Sequence, residues 1–247
     1  TTEGNWWWWG GSNEINNRLI ILDENLEIVS TIENIGKEGE SVQSTRFVGD
    51  YAYIVTFLRT DPFYVFDLSD PLNPVMLSAL EMPGFSDYLQ PINEDFMLGI
   101  GYGDNDGGTQ GLKISLYDVS DKTDAKIASE IIYDYEDNNY MWTSTVYNHK
   151  DLVVSVAKGI IVLPYNSHGY DEITGQWVYE TGALVLNLDV ETGLISERGR
   201  ITHSEANSWD TYVYKAKYIE NFLYTISSRY VIVSTLEDPS TELNRVE

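Results

Sequence analysis

The chain has no cysteine among its 247 residues. That excludes disulfides, thiolate metal sites and cysteine nucleophiles, and it leaves the compartment open. Histidine is almost as scarce. His149, His168 and His203 are widely spaced and none sits in a His-x-x-x-His pair, so a histidine metal site would have to be assembled entirely by the fold. No Gly-x-Ser-x-Gly elbow is present, which removes the local signature of a serine nucleophile. Gly101-Tyr102-Gly103 runs into Asp104 rather than into the lysine-bearing turn of a phosphate loop. Basic residues are few: 15 Lys and Arg against 39 Asp and Glu give a formal net charge of -24. Polyphosphate and anionic membrane surfaces are repelled by such a chain, so nucleic acid is not an expected partner. The acidity reads either as a solubilising surface or as attraction for cations and cationic partners. No apolar run is long enough to span a bilayer, which argues against direct membrane insertion. No stretch holds a helical period, so helix should be scarce.

What is abundant is aromatic and β-branched sequence, with 18 Tyr and 7 Trp, punctuated by proline and aspartate. The clearest unit is Gln43 to Met82. Residues 43 to 48 lead to a Gly49-Asp50 turn, and Tyr51 to Phe57 suit a pleated surface. A third strand, Phe63 to Leu68, follows Asp61-Pro62. A fourth, Val75 to Met82, follows Asp70-Pro71 and Asn73-Pro74, where proline fixes φ and removes a ladder donor. Four strands this close together predict an antiparallel meander, which must stack on copies of itself to bury both faces.

Such copies follow. Arg18 to Asp23 and Leu26 to Ile32, around a Glu24-Asn25 turn, match the third and fourth strands, and Asp23 falls where Asp67 falls. Phe85 to Tyr133 holds strands at Phe96 to Gly101, Leu112 to Val119 and Ala125 to Tyr133. Within it, Tyr117-Asp118-Val119-Ser120-Asp121 echoes Phe66-Asp67-Leu68-Ser69-Asp70. Aspartates at such strand exits accept from nearby amides and are expected to be structural. Trp142 to Thr202 is longer, with a hairpin tip around His168 to Gln176 and a third strand at Ala183 to Asp189. The last copy runs from Tyr212 to Val246 through Asn221 to Ser227 and Tyr230 to Leu236. The pattern predicts an all-β chain: a β-propeller of four-stranded antiparallel blades, with about four and a half blades at 1–35 (partial), 43–82, 85–133, 142–202 and 212–246. A sandwich would not require the same turn and aspartate to recur at the same strand. The incomplete first copy, and a chain that starts at Thr1, imply that upstream blades or another chain complete a larger ring.

The blade sequences, AYIVTF and PFYVFDLSDPLNPVMLSALEMPGF within Tyr51 to Gly84, GIG at 99–101, LKISLYDVSD at 112–121, Gly182 to Asp189 and Gly199 to His203, also carry a family resemblance. They resemble secreted bacterial and archaeal proteins with a C-terminal β-propeller domain, distantly related to WD40 propellers and similar to LVIVD-type repeats. The blades do not repeat the Gly-His and Trp-Asp pairs of WD40 repeats and have no double glycine at the repeat position of kelch repeats. The resemblance implies a secreted or cell-surface location and transfers no catalytic residue.

Candidate functional residues are therefore read on their own chemistry. Trp6, Trp7, Trp8 and Trp9 form an aromatic run that reads as a sugar-stacking or partner-binding platform, or as a hairpin tip packed over loops. Trp142, Trp177 and Trp209 read singly as packing residues, whereas several on one rim would make a binding surface. Ser167, Asp171, Gly175 and Trp177 faintly resemble a sialidase Asp-box, at too long a spacing, and read better as a long hairpin. In Gly103 to Gly108, Asp104 and Asp106 offer alternate carboxylates to calcium, or form a polar hairpin tip; the later Glu of an EF-hand is absent. Asp134, Glu136 and Asp137 make a second acidic cluster that reads as solvated charge. The expected function is a non-enzymatic extracellular scaffold that binds a protein, glycan or cell-wall partner and needs no cofactor, calcium aside. A propeller glycoside hydrolase with paired carboxylates, or a structural subunit of a surface assembly, is the alternative.

Overall fold

The structure is a computed structural model that describes residues 2–3, 15–57, 61–105, 109–133, 140–171, 173–204 and 211–247. Strands β1 (Thr2–Glu3) and β2 (Asn16–Asn17) form a short antiparallel pair. Strands β3 (Leu19–Leu22) and β4 (Ile28–Ile32) form a two-stranded sheet. The next sheet runs β5 (Ser41–Val48), β6 (Tyr51–Phe57), β7 (Asp61–Asp67), β8 (Val75–Met82), each strand beside the next. Another four-stranded sheet follows with β9 (Phe85–Pro91), β10 (Phe96–Asn105), β11 (Thr109–Asp118) and β12 (Lys126–Tyr133). A five-stranded sheet holds β13 (Tyr140–Trp142), β14 (Val153–Ser155), β15 (Ile160–Asp171), β16 (Gln176–Asp189) and β17 (Leu194–Thr202). Its order is β13-β15-β16-β17, with β14 also paired to β15. The last sheet is β18 (Val213–Ile219), β19 (Phe222–Ser227), β20 (Val231–Thr235) and β21 (Asn244–Val246). Helix among the described residues is limited to 3-10 turns at Ser144–Val146, His149–Asp151 and Val156–Lys158, with Thr211 also in 3-10 conformation. None is long and apolar enough to cross a membrane.

The chain divides into two compact units, Thr1–Gly101 with Tyr117–Ile127 and Tyr102–Leu116 with Ala128–Glu247. Within the first, the middle strands are buried on both faces, which is why they read as continuous apolar runs rather than alternating ones. Successive side chains go to opposite sides. Ala52, Ile54, Tyr64 and Phe66 pack with Leu19 and Ile35, whereas Tyr53, Val55, Phe63 and Val65 pack with Leu89, Met97 and Tyr117. Within the second unit, Ile160, Val162, Ala183, Val185 and Ile201 face Val213, Ala216, Leu223, Tyr230, Ile232 and Leu236.

The recurring aspartates have one local job. Asp23, Asp67, Asp118 and Asp189 each accept the backbone N–H two residues on, from Asn25 (2.8 Å), Ser69 (2.8 Å), Ser120 (3.0 Å) and Glu191 (2.9 Å). The Glu27 and Asn25 amides hold the Asp23 carboxyl below its ordinary range, and hydrogen bonds from Ser69 do the same for Asp67. A backbone staple lies beside three of these exits, Leu68 N–H to Asp50 O (2.7 Å), Val119 to Asp95 (2.7 Å) and Leu188 to Gly159 (2.9 Å), and recurs after β20 as Leu236 to Asn221 (2.9 Å).

Three local expectations need correction. The turn after β3 is longer than Glu24-Asn25: Asp23 N–H reaches Glu27 O at 2.9 Å, Leu26 sits at φ 66, and β4 starts only at Ile28. Asp61-Pro62 lies inside β7 rather than before it. Pro62 faces Glu81 of β8, while the β6 ladder starts at Phe63, so its missing N–H costs no bond on that side. The long copy has a divided first strand, β13 and β14. Between them the Asp151 carboxylate accepts from Asn148 Nδ2 (2.9 Å) and Ser144 Oγ (3.2 Å), fixing two 3-10 turns.

Candidate functional site

The site is built by one hairpin that outgrows its sheet. β15 and β16 have 12 and 14 residues, against 7 each for β6 and β7. β16 runs beside β17 as far as Gly182 opposite Thr202. There the backbones come close: a Cβ on Gly182 would stand 1.9 Å from the Ile201 carbonyl oxygen. One residue further out, Thr181 O accepts from His203 N–H (2.8 Å) and Thr181 N–H donates to Ser204 Oγ (2.7 Å). Beyond that point β16 continues with β15 alone, paired from Asn166–Thr181 to Asp171–Gln176, while β13 lies on the other side of β15.

Register then decides what the extension presents. Tyr140 is opposite His168, which is opposite Tyr179; Trp142 is opposite Asn166, which is opposite Thr181; and Tyr170 is opposite Trp177. The period of two puts all of these on the same face. Six rings result. Tyr140 and Trp142 stack with centroids 5.7 Å apart, His168 lies 5.7 Å from each of them, 5.8 Å from Trp177 and 6.0 Å from Tyr179, and Trp177 meets Tyr170 edge-on at 5.5 Å. These separations suit offset and edge-to-face aromatic contact. The outer rings are open to solvent, with Tyr170 38%, Trp177 52% and Tyr179 62% exposed, while core rings such as Phe63 and Tyr117 are fully buried.

On the inner side of this panel lies a polar row. Asn166 of β15, Thr181 of β16 and His203 just beyond β17 are buried neighbours, and among the described residues Asn166 Oδ1, Thr181 Oγ1 and His203 Nδ1 have no hydrogen-bond partner. His203 Nε2 is 2.7 Å from Thr225 Oγ1, and burial pushes its pKa down to about 4. The imidazole is therefore neutral at ordinary pH. Buried polar atoms of this kind call for an ordered water or another polar group.

The opposite face of the same hairpin is anchored. Arg200 spans Glu197 with two hydrogen bonds, 2.9 Å from Nε and 3.1 Å from a terminal nitrogen, and its guanidinium lies over the rings of Tyr133 (5.3 Å) and Tyr165 (5.6 Å). Tyr133 donates to Glu197 (2.8 Å) and Tyr165 donates to Glu180. Burial, reinforced by these carboxylates, raises both phenols above their ordinary pKa, so they remain donors. A cavity of about 720 Å³ is lined by Lys158, Asn187, Arg198, Asn221, Thr235, Leu236 and Glu237. Its cations are already engaged: Arg198 bonds Asn187 Oδ1, Leu236 O and Gly159 O, and Lys158 bonds Asn221. The arrangement staples backbone rather than offering charge to a ligand.

Of the residues singled out in sequence, Trp177 lies at the exposed end of the panel and Trp142 at its half-buried end, bridged by His168. Trp6, Trp7, Trp8, Trp9, Trp209, Asp106, Asp134, Glu136 and Asp137 lie outside the described residues, and Asp104 is described only as backbone of β10. Among the described residues no group of three or more His, Asp or Glu could hold a metal. Tyr140, Tyr170 and Tyr179 carry no signal of their own in the sequence, and His168 stands out there only as a scarce histidine at the hairpin tip. The alternation His168-x-Tyr170 and Trp177-x-Tyr179 was the available signal, and it becomes a face only once the turn fixes the register.

Comparison with known proteins finds relatives of this chain. An uncharacterized protein of Archaeoglobus fulgidus is 39% identical over 158 residues, 62% of this chain and 23% of its own. The uncharacterized protein MJ1554 of Methanocaldococcus jannaschii is 33% identical over 227 residues, 92% of this chain. The chain spans 23% and 31% of the length of these two relatives. Among solved structures, the computationally designed Ika4 protein aligns with 82% of this chain and 95% of its own, at 12% identity and TM-score 0.38. A periplasmic gluconolactonase of Pseudomonas aeruginosa, PpgL, aligns with 96% of this chain and 78% of its own, at 9% identity and TM-score 0.36. The repeated four-stranded sheets are blades, and with residues 1–239 matching the Beta propeller domain family, the chain belongs to that family.

Proposed function

We propose that this propeller chain is a non-enzymatic binding module of a secreted or surface-attached protein, and that the aromatic face of the β15–β16 hairpin receives its partner. The observation that carries the reading is the set of six rings gathered on one face, three of them more than a third exposed. Solvent-facing aromatic surface of this extent marks interaction sites, since leaving it in water is unfavourable unless a partner covers it. Trp and Tyr give large rigid contact area at little cost in side-chain entropy, which suits recognition of a protein segment, a glycan or a cell-wall component. The anchored opposite face, held by Arg200, Glu197, Tyr133 and Tyr165, keeps the panel in place. No cofactor is required. The extracellular placement is motivated by the resemblance of the blade sequences to secreted propeller proteins.

Glycan and peptide arrays probed with the purified chain, and with a Trp177→Ala, Tyr179→Ala double variant, test the reading. A hit whose affinity falls by about tenfold or more in the double variant is expected for two central aromatic contacts. Equal binding by both proteins, or no hit on either array, would overturn it.

A further inference from the structure

Edges as well as faces decide what a strand can bind, and among the described residues β16 has an unpaired one. Thr181 directs its N–H and C=O toward Ser204 and His203. Main-chain direction alternates along a strand, so Tyr179 and Trp177 direct theirs the same way, away from β15. Neither has a hydrogen-bond partner on that side among the described residues, and β17 has already ended at Thr202. Four main-chain groups in a row are left as an unfinished ladder. Natural edges are usually blunted by lysine, proline or a bulge. The Gln176–Glu180 edge has none of these.

The geometry points to an extended, basic polypeptide segment as the occupant, adding to the Gln176–Glu180 edge of β16 as a further strand with its cationic side chains across Trp177 and Tyr179. The inference rests on the panel being the binding face and names what lies on it. Strand addition takes affinity from main-chain hydrogen bonds and selectivity from alternate side chains. The sign of the charge comes from the hairpin. Ile160 to Asp189 contains Asp171, Glu172, Glu180 and Asp189 and no lysine or arginine, in a chain of net charge -24. The ring chemistry agrees. Tyr51, Tyr88, Tyr133, Tyr165 and Tyr230 each hold a Lys or Arg over the ring at 4.6–5.6 Å, whereas no described cation lies over Trp177 or Tyr179. An Arg or Lys on the added strand would supply it, most strongly at Trp177. A second copy of this chain would bring a like charge of the same size to the edge, which disfavours pairing of two β16 edges.

The test is fluorescence anisotropy with a labelled decapeptide of five Lys-Thr repeats. Two controls accompany it, five Glu-Thr repeats and the Lys-Thr peptide methylated at every amide nitrogen. The Lys-Thr peptide should bind and the Glu-Thr peptide should not. Methylation leaves charge and side chains intact but removes the donors, and should weaken binding about tenfold or more. On the protein side, Tyr179→Ala removes a ring, whereas Tyr179→Pro also removes an outward N–H that no ladder uses, and should bind about fivefold more weakly than Tyr179→Ala. If Tyr179→Pro lowers the melting midpoint, the methylated peptide on the unaltered chain decides. Equal binding of methylated and unmethylated peptides, or no binding of the Lys-Thr peptide, overturns strand addition. Cellohexaose serves as the glycan probe. Tryptophan quenching by it that is lost in Trp177→Ala, with no peptide binding, would keep the binding face and reject the strand; no binding of any probe or array ligand would reject both.

Discussion

Two titrating groups, the buried His203 and the half-buried Asp87, set opposite slopes on the acid side of the stability curve. Desolvation pushes Asp87 up to about 6 from 3.8, and desolvation pushes His203 down to about 4 from 6.5. For Asp87 the unfolded chain ionises first as pH rises, so its stability contribution is present below pH 3.8 and is lost by about pH 6. For His203 the unfolded chain takes up the proton first as pH falls, so its contribution is present above pH 6.5 and is lost as pH falls through about 4. Urea unfolding between pH 4 and pH 7 should therefore separate the two by substitution. Asp87→Asn should gain of order 1 kcal/mol at pH 7, remaining solvent contact keeping this below the full value of the shift, and should lose stability more steeply than the parent on acidification. His203→Gln should flatten the same descent, because neither state then takes up a proton at that position. Profiles that run parallel to the parent for both variants would show that neither group is shifted.

At the scale of elements, the sequence was legible wherever one strand carries its own evidence. Tyr51–Phe57 and Val75–Met82 have the bounds expected of them, because doubly buried apolar runs and the Pro71 and Pro74 turns are local signals. The exit aspartates were legible for the same reason, since an Asp that accepts the amide two residues on needs no distant partner. What could not be read depended on register or on a shift in pairing. The division of β13 from β14, the extended turn at Leu26 and the shared face of Tyr140, His168 and Tyr179 all follow from which residues stand opposite one another. Trp177 was visible as a candidate and its five ring neighbours as a set were not. Gly182 was visible only as a letter, yet it lets β16 pass close to Ile201 just before the hairpin leaves the sheet. Gly182→Ala should cost about 2–3 kcal/mol, the scale of overpacking a closed backbone contact, and should reduce Trp177-dependent ligand binding as well. Gly175→Ala, in the exposed tip and at φ 67, should cost about 1 kcal/mol through strain and leave the sheet intact. Thermal unfolding of the two variants side by side checks the contrast, and equal midpoints would show that the Gly182 approach has no energetic weight.

At the scale of the molecule, charge is the dominant unpaired quantity. A net charge of -24 in 247 residues repels itself in the compact state, and the described ion pairs leave that excess unchanged because each joins one cation to one anion: Lys37–Glu81 and Arg245–Glu242 are surface contacts, while Lys113–Glu130 and Lys215–Asp151 are partly buried. Raising sodium chloride from about 0.01 M to about 0.15 M shortens the screening length from roughly 30 Å to roughly 8 Å, so the melting midpoint should rise across that range and level off beyond it. The same experiment isolates the one metal reading left by the sequence. Calcium chloride at matched ionic strength supplies the screening and, in addition, a ligand for hard carboxylate oxygens. A calcium midpoint above the sodium curve that returns to it in Asp104→Asn, Asp106→Asn is what a site between Gly103 and Gly108 requires. Coincident calcium and sodium curves would assign the acidity of that loop to the same diffuse repulsion as the rest of the chain, and would leave cationic partners, rather than a bound ion, as what the charge attracts.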